Sequence, residues 1–286
     1  MASTSSPTLP PELEREIFEL CAHSWPMEIP ELMRVAHRVN QWVHALLYRT
    51  MVVLDASESV HTPGPSLTTE QALATIRAKP PAFFSTAVRH LFSSAHLGLR
   101  KDVESILAAC SGLENLCLLY MDTTWIPFIA VMPLKHFYGP CKSLLTLHLS
   151  HAVFLRLTHL EVLDTIEATD TWTVHVESLP ALTHLAFINL NDTALCIRLL
   201  KACKSLRVLI LHHGVGAGGR DRDHPHEAAL AQDGRVVGLN CSNYIQDWCL
   251  GARWGEDYWH RAEIFVEKRR AGEIDRAYPF SDFTSD

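Results

Sequence analysis

"LTHLEVLD" occupies residues 157–164, and "LTHLAFIN" occupies 182–189, twenty-five positions further on. A longer pair, "LAACSGLENLCL" (107–118) and "LKACKSLRVLIL" (200–211), shares six identities at matching offsets. Self-similarity at a period of 20 to 50 residues marks a repeat architecture. Working outward from these twins, the pattern L-x-x-L-x-L, or a relaxed form, begins at Val88, Leu113, Leu134, Leu157, Leu182, Leu206 and Val236. The intervals are 25, 21, 23, 25, 24 and 30 residues. "LLTLHLS" (144–150) also fits, but it lies only 13 residues before Leu157 and is assigned to the return segment that follows Leu134.

The physics of this pattern is that of a leucine-rich repeat: a short strand alternates inward leucines with outward residues, and a helix or turn returns the chain. The expected fold class is α/β, an irregular leucine-rich-repeat solenoid with a mostly parallel β face. Its core should include Leu116, Leu118, Leu160, Val162, Leu185, Phe187, Leu209 and Leu211. Helical returns are expected at 102–111, capped by Asp102, and at 192–204, capped by Asp192.

Residues 9–48 read as two helices. Pro10 and Pro11 open the first, which places Leu13, Ile17, Leu20 and Cys21 on one face with Phe18 beside them. "SWPMEIP" (24–30) ends it, and the second runs from Glu31 to about Tyr48. A β-branched stretch, "TMVVLD" (50–55), precedes a loop over 56–66, and Thr68 caps a helix over 69–78. Near the other end, Ser242 or Asn243 starts a helix carrying Trp248, interrupted by Gly251 and Gly255. Glu256 and Asp257 begin another that closes on Lys268, Arg269, Arg270 and Gly272. The domain reading is a helical module at 7–54, the solenoid at 67–241, and a helical cap on its last repeat at 242–275.

Of the 286 residues, 48% are hydrophobic and 20% charged, as in an ordinary folded protein. The formal charge of −7 offers no electrostatic reason to expect nucleic acid or an anionic membrane as partner. No apolar run approaches the length of a membrane span, and "MASTSSPTLPPELERE" lacks the basic and apolar regions of a signal peptide. The eight cysteines include no C-x-x-C pair. Their apolar surroundings suit reduced thiols in the cytosol or nucleus.

"LPPELEREIF" followed by "IPELMRVAHRVNQWVHALLYR" resembles an F-box. Leu9, Pro10, Glu12, Leu13, Ile17 and Phe18 match its opening, and Leu32, Val35, Trp42 and Leu46 match its later helix. With the repeats behind it, the chain is similar to the F-box proteins with leucine-rich-repeat-like regions of mushroom-forming fungi. That resemblance implies the substrate-recognition subunit of a cullin-RING ubiquitin ligase. The ten matching residues would dock the ligase's small adaptor, and the repeat face would hold an unidentified protein target. The alternative is a stand-alone binding scaffold whose F-box has degenerated.

Other motifs point to chemistry less strongly. "GVGAGG" (214–219) matches G-x-G-x-x-G, but the charged "RDRDHPHE" that follows offers no helix N-terminus to a pyrophosphate. The histidines of "HH" (212–213) and "HPH" (224–226) have no cysteine nearby to complete a tetrahedron. No G-x-S-x-G, H-E-x-x-H or P-loop is present, so no enzyme activity, metal or cofactor is expected. The repeats themselves single out His90, His136, His159 and His184, all at the third motif position. Alternation turns these imidazoles to the outer, concave face, with His136, His159 and His184 roughly 5 Å apart on adjacent strands. They are the candidate target-binding stripe, expected to be solvated and to titrate near pH 6.5.

Overall fold

The computed structural model describes residues 9–55, 58, 60, 62–165, 173–188, 190, 192–212, 230, 232–239 and 243–274. "GVGAGG" and "HPH" lie outside them.

Among the described residues nine strands form one open, wholly parallel sheet. They are β1 (Thr50–Leu54), β2 (Leu67–Thr68), β3 (His90–Ser93), β4 (Asn115–Leu118), β5 (His136–Gly139), β6 (His159–Val162), β7 (His184–Ile188), β8 (Val208–His212) and β9 (Val236–Leu239). The spatial order is β2-β1-β3-β4-β5-β6-β7-β8-β9, so only β2 departs from chain order. From β3 to β8, each strand begins two residues after its motif. The leading Val88, Leu113, Leu134, Leu157, Leu182 and Leu206 are buried just before the ladder starts. The opening twins become neighbours: β6 pairs with β7 in the register His159↔His184, Leu160↔Leu185, Glu161↔Ala186 and Val162↔Phe187.

One core lies between the sheet and the return segments. All eight residues expected there are buried, together with Ile106, Leu107, Phe154 and Leu199 from the returns. Those returns carry α4 (Thr69–Arg77), α5 (Phe83–Ala87), α6 (Arg100–Ala109), α7 (Ile126–Ile129), α8 (Ala152–Arg156), α9 (Thr173–Glu177) and α10 (Thr193–Ala202). Residues 144–146 form a 3-10 turn, as their place in a return demands. Thr68 and Asp192 cap α4 and α10, Thr68 within a full capping box with Gln71. Asp102 does not cap α6. The helix starts two residues earlier, at Arg100, so Asp102 falls in the first turn.

The opposite face of the sheet is also covered. The α11 helix (Tyr244–Trp254) and the α12 helix (Tyr258–Ala271) lie across it, α11 against β1 and α12 against β8 and β9. Trp248, Tyr258, Trp259, Phe265 and Val266 pack there on Phe92, Tyr138, Ile210 and Val237. The sequence places these helices on the last repeat; α12 does lie on the last two strands, β8 and β9, and with α11 it also covers this face of the sheet. Parallel sheets are commonly buried on both sides, because helices can bring apolar area to each. Gly251 does not interrupt α11; it admits the Asp257 carboxyl, which a Cβ would strike. Gly255 and Gly272 close α11 and α12 in left-handed conformation, at φ 75° and 79°.

The N-terminal module holds three helices rather than two: α1 (Pro11–Ser24), α2 (Ile29–Val35) and α3 (His37–Val43). The break is at Ala36, extended at φ −159° and ψ 156°. Local propensity does not ask for it, since alanine favours helix. The break turns Val39 and Val43 onto Ala22 and Ile29, and this small core overrides the local preference. Among the described residues no helix is long and apolar enough to cross a membrane.

Candidate protein-docking surface

Helix α1 has two apolar faces, and only one is used inside the molecule. Phe18 and Ala22 join α2 and α3 in the module's core, with Leu32, Trp42 and Leu46 packed on it. Leu9, Leu13, Ile17 and Leu20 remain outside, at 55%, 48%, 47% and 65% exposure. Helical spacing puts Leu13, Ile17 and Leu20 on one stripe of α1, a turn apart, while Leu9 precedes the helix. Val35 is exposed as well, and so are Pro10 and Glu12. The ten F-box-like positions thus divide. Phe18, Leu32, Trp42 and Leu46 build the module; Leu9, Pro10, Glu12, Leu13, Ile17 and Val35 face outward. The Arg38 guanidinium on α3 donates to both Glu14 carboxylate oxygens, at 2.6 and 3.0 Å, which aligns α1 without drawing its stripe inward.

The histidine row forms a ladder, but a covered one. Strand register aligns His90, Asn115, His136, His159 and His184 across five strands. The rings of His136 and His159 lie 4.0 Å apart, and those of His159 and His184 stack at 4.0 Å with 4° between their planes. Trp259 of α12 meets the last two edge-on. His184 is 2% exposed, with Nε2 3.1 Å from Glu263 of the same helix. Burial pushes the His136 imidazole down to about 4 and His90 to about 3, and it lowers His159 and His184 too. Only His159 and His184 meet α12, whereas His90 and His136 stay partly exposed, and burial holds His90 and His136 below the 6.5 expected of a freely solvated row.

Two residues after His159, on the same face of β6, is a group that the sequence reading missed. Glu161, inside the opening "LTHLEVLD", is 0% exposed. It accepts hydrogen bonds from the hydroxyls of Tyr244 and Tyr258, at 2.5 and 2.9 Å. His212 Nε2 stands 3.3 Å from its other oxygen; this histidine belongs to β8 rather than to a metal-binding loop. Burial raises the Glu161 carboxyl to about 7, and it raises Asp257 to about 6. The Asp247 carboxylate accepts from Tyr258 N at 2.8 Å and from Arg261. A signal for this covered face was present. The residues aligned with Glu161 are Phe92, Cys117, Tyr138, Ala186, Ile210 and Val237, too apolar for a solvated surface. Among the described residues no cluster of three or more His, Cys, Asp or Glu could hold a metal.

No protein-family model matches the chain, and no curated protein matches it in sequence.

Proposed function

We propose that this chain is a protein-recognition subunit whose α1–α3 module is an F-box-like docking element and whose sheet is a leucine-rich-repeat solenoid. Most concretely, the module docks the small adaptor of a cullin-RING ubiquitin ligase. The observation that carries this reading is the exposed stripe of Leu13, Ile17 and Leu20 on α1, with Leu9 exposed just ahead of the helix. A helix serving only its own module would bury these side chains, whereas an apolar row left in water marks a partner site. Strand starts at 90, 115, 136, 159, 184, 208 and 236, in unbroken spatial order, support the repeat half. On this reading the histidine row serves packing. Target contact falls to the loops after β3 and β4, where Leu97 and Tyr120 are exposed.

The test is co-purification with the adaptor. Leu13→Asp and Ile17→Asp should each abolish the complex and leave the circular dichroism spectrum and Tm unchanged, because both positions face solvent. A complex that survives both changes sinks the adaptor reading. A parent chain that forms no complex points to the stand-alone scaffold, which the break at Ala36 in the expected second helix favours.

A further inference from the structure

Where the N-terminal module meets α11, a groove of about 320 Å³ opens between them. Its volume lies at the lower end of the range for pockets that take small organic ligands. Ile29, Leu46 and Ala252 contribute apolar wall, and His23, Arg49 and Arg253 are the basic side chains. Among the described residues no acidic side chain lines it. Arg49 also acts on the Glu114 carboxylate, which a hydrogen bond from Lys135 chiefly, with Arg89 and Arg49 behind it, holds below the usual range. Among the described residues Arg253 has no carboxylate partner. Its Nη1 meets only the Met27 thioether, at 3.9 Å, while Nε and Nη2 are buried with no hydrogen-bond partner among the described residues. The Gly64 backbone lies on the guanidinium so closely that a Cβ there would stand 2.6 Å from Cζ, which fixes the group in place. Trp254 Nε1 donates to Ser24 O at 3.4 Å and ties the two walls together. A guanidinium keeps its charge under all ordinary conditions, and one that is half-buried with no carboxylate among the described residues favours an anion that reaches it through Nη1, its nitrogen held only by the Met27 thioether.

We propose that this groove binds a small organic anion, a carboxylate on an apolar body, with Arg253 and Arg49 facing the carboxylate and Ile29, Leu46 and Ala252 the apolar part. The inference stands apart from the ligase reading, since neither the α1 stripe nor an adaptor enters it. The probe is octanoate, titrated into the full chain by calorimetry, with octanol as its uncharged counterpart and inorganic phosphate as an anion without the apolar body. Octanoate should bind saturably with a Kd below about 1 mM. Octanol and phosphate should each be at least ~10-fold weaker, the loss expected when a hydrogen bond to a charged group goes. Arg253→Gln should weaken octanoate by about that factor and leave octanol unchanged. Arg49→Gln provides a second reading if the first variant does not fold. The proposal is overturned by octanol or phosphate binding as tightly as octanoate, by unchanged octanoate affinity in the folded variants, or by no saturable binding below that limit.

Discussion

Glu161 and the histidines beside it set opposing pH responses in one stretch of sheet. Glu161 has its pKa raised by burial to about 7 in the folded chain. Its contribution to stability is therefore full below its unfolded value of about 4.3 and lost as the pH rises through 7. His136 is depressed to about 4, so its contribution is full above the unfolded value of about 6.5 and lost as the pH falls through 4. Between pH 4.5 and 6.5 the two partly cancel, and single substitutions should separate them. Glu161→Gln keeps an acceptor for both tyrosine hydroxyls and removes the buried charge. It should raise stability at pH 8 by on the order of 3 kcal/mol and change little at pH 4. His136→Gln should flatten the acid limb, a loss of roughly 3 kcal/mol in the parent. Urea denaturation from pH 4 to 8 measures both, and a Glu161→Gln variant no more stable at pH 8 would contradict the buried-carboxyl account.

At the scale of elements, the helix starts separate residues that look alike in sequence. Thr68 and Asp192 accept from backbone N–H groups in the first turns of α4 and α10, whereas Asp102 sits inside α6. Thr68→Ala and Asp192→Ala should each cost about 1 kcal/mol, the usual worth of an N-cap. Asp102→Ala loses only a favourable charge near a helix start, a few tenths of a kcal/mol at this partly exposed site. Denaturant midpoints of the three variants give the ranking directly. An Asp102 variant as damaged as the other two would place the α6 cap where the sequence reading had put it.

Considered whole, the molecule is a sheet with a core on each side, and the second core depends on α11 and α12. Trp259 packs on Tyr138 and the His159 and His184 rings, and its indole N–H donates to Tyr138 OH at 3.1 Å. Trp259→Ala should cost about 3–5 kcal/mol, as truncation of a buried large aromatic does. Removing the chain from Asn243 onward uncovers Phe92, Tyr138, Ile210 and Val237 and strands Glu161 without its tyrosine partners. The truncated chain should aggregate or bind a hydrophobic dye in size-exclusion and fluorescence assays. A monodisperse, dye-free product would mean that the helices cap an end rather than roof a face.

The sequence by itself determined the repeated strand, its spacing and one of the two cores. Those follow from local alternation, and "LTHLEVLD" and "LTHLAFIN" carry it without help from distant residues. The same local logic sent His159 to solvent and gave no sign of Glu161, because alternation specifies which face of a strand a side chain takes and says nothing of what covers that face. Only the tertiary structure decided that Tyr244, Tyr258 and Trp259, far along the chain, would lie over it. It decided the two faces of α1 in the same way. Helical periodicity put Leu13, Ile17 and Leu20 on a shared stripe, and the packing of Phe18 and Ala22 against α2 and α3 left that stripe in water. Periodicity is a property of a segment, whereas burial is a property of its neighbours, and the neighbours here arrive from other parts of the chain.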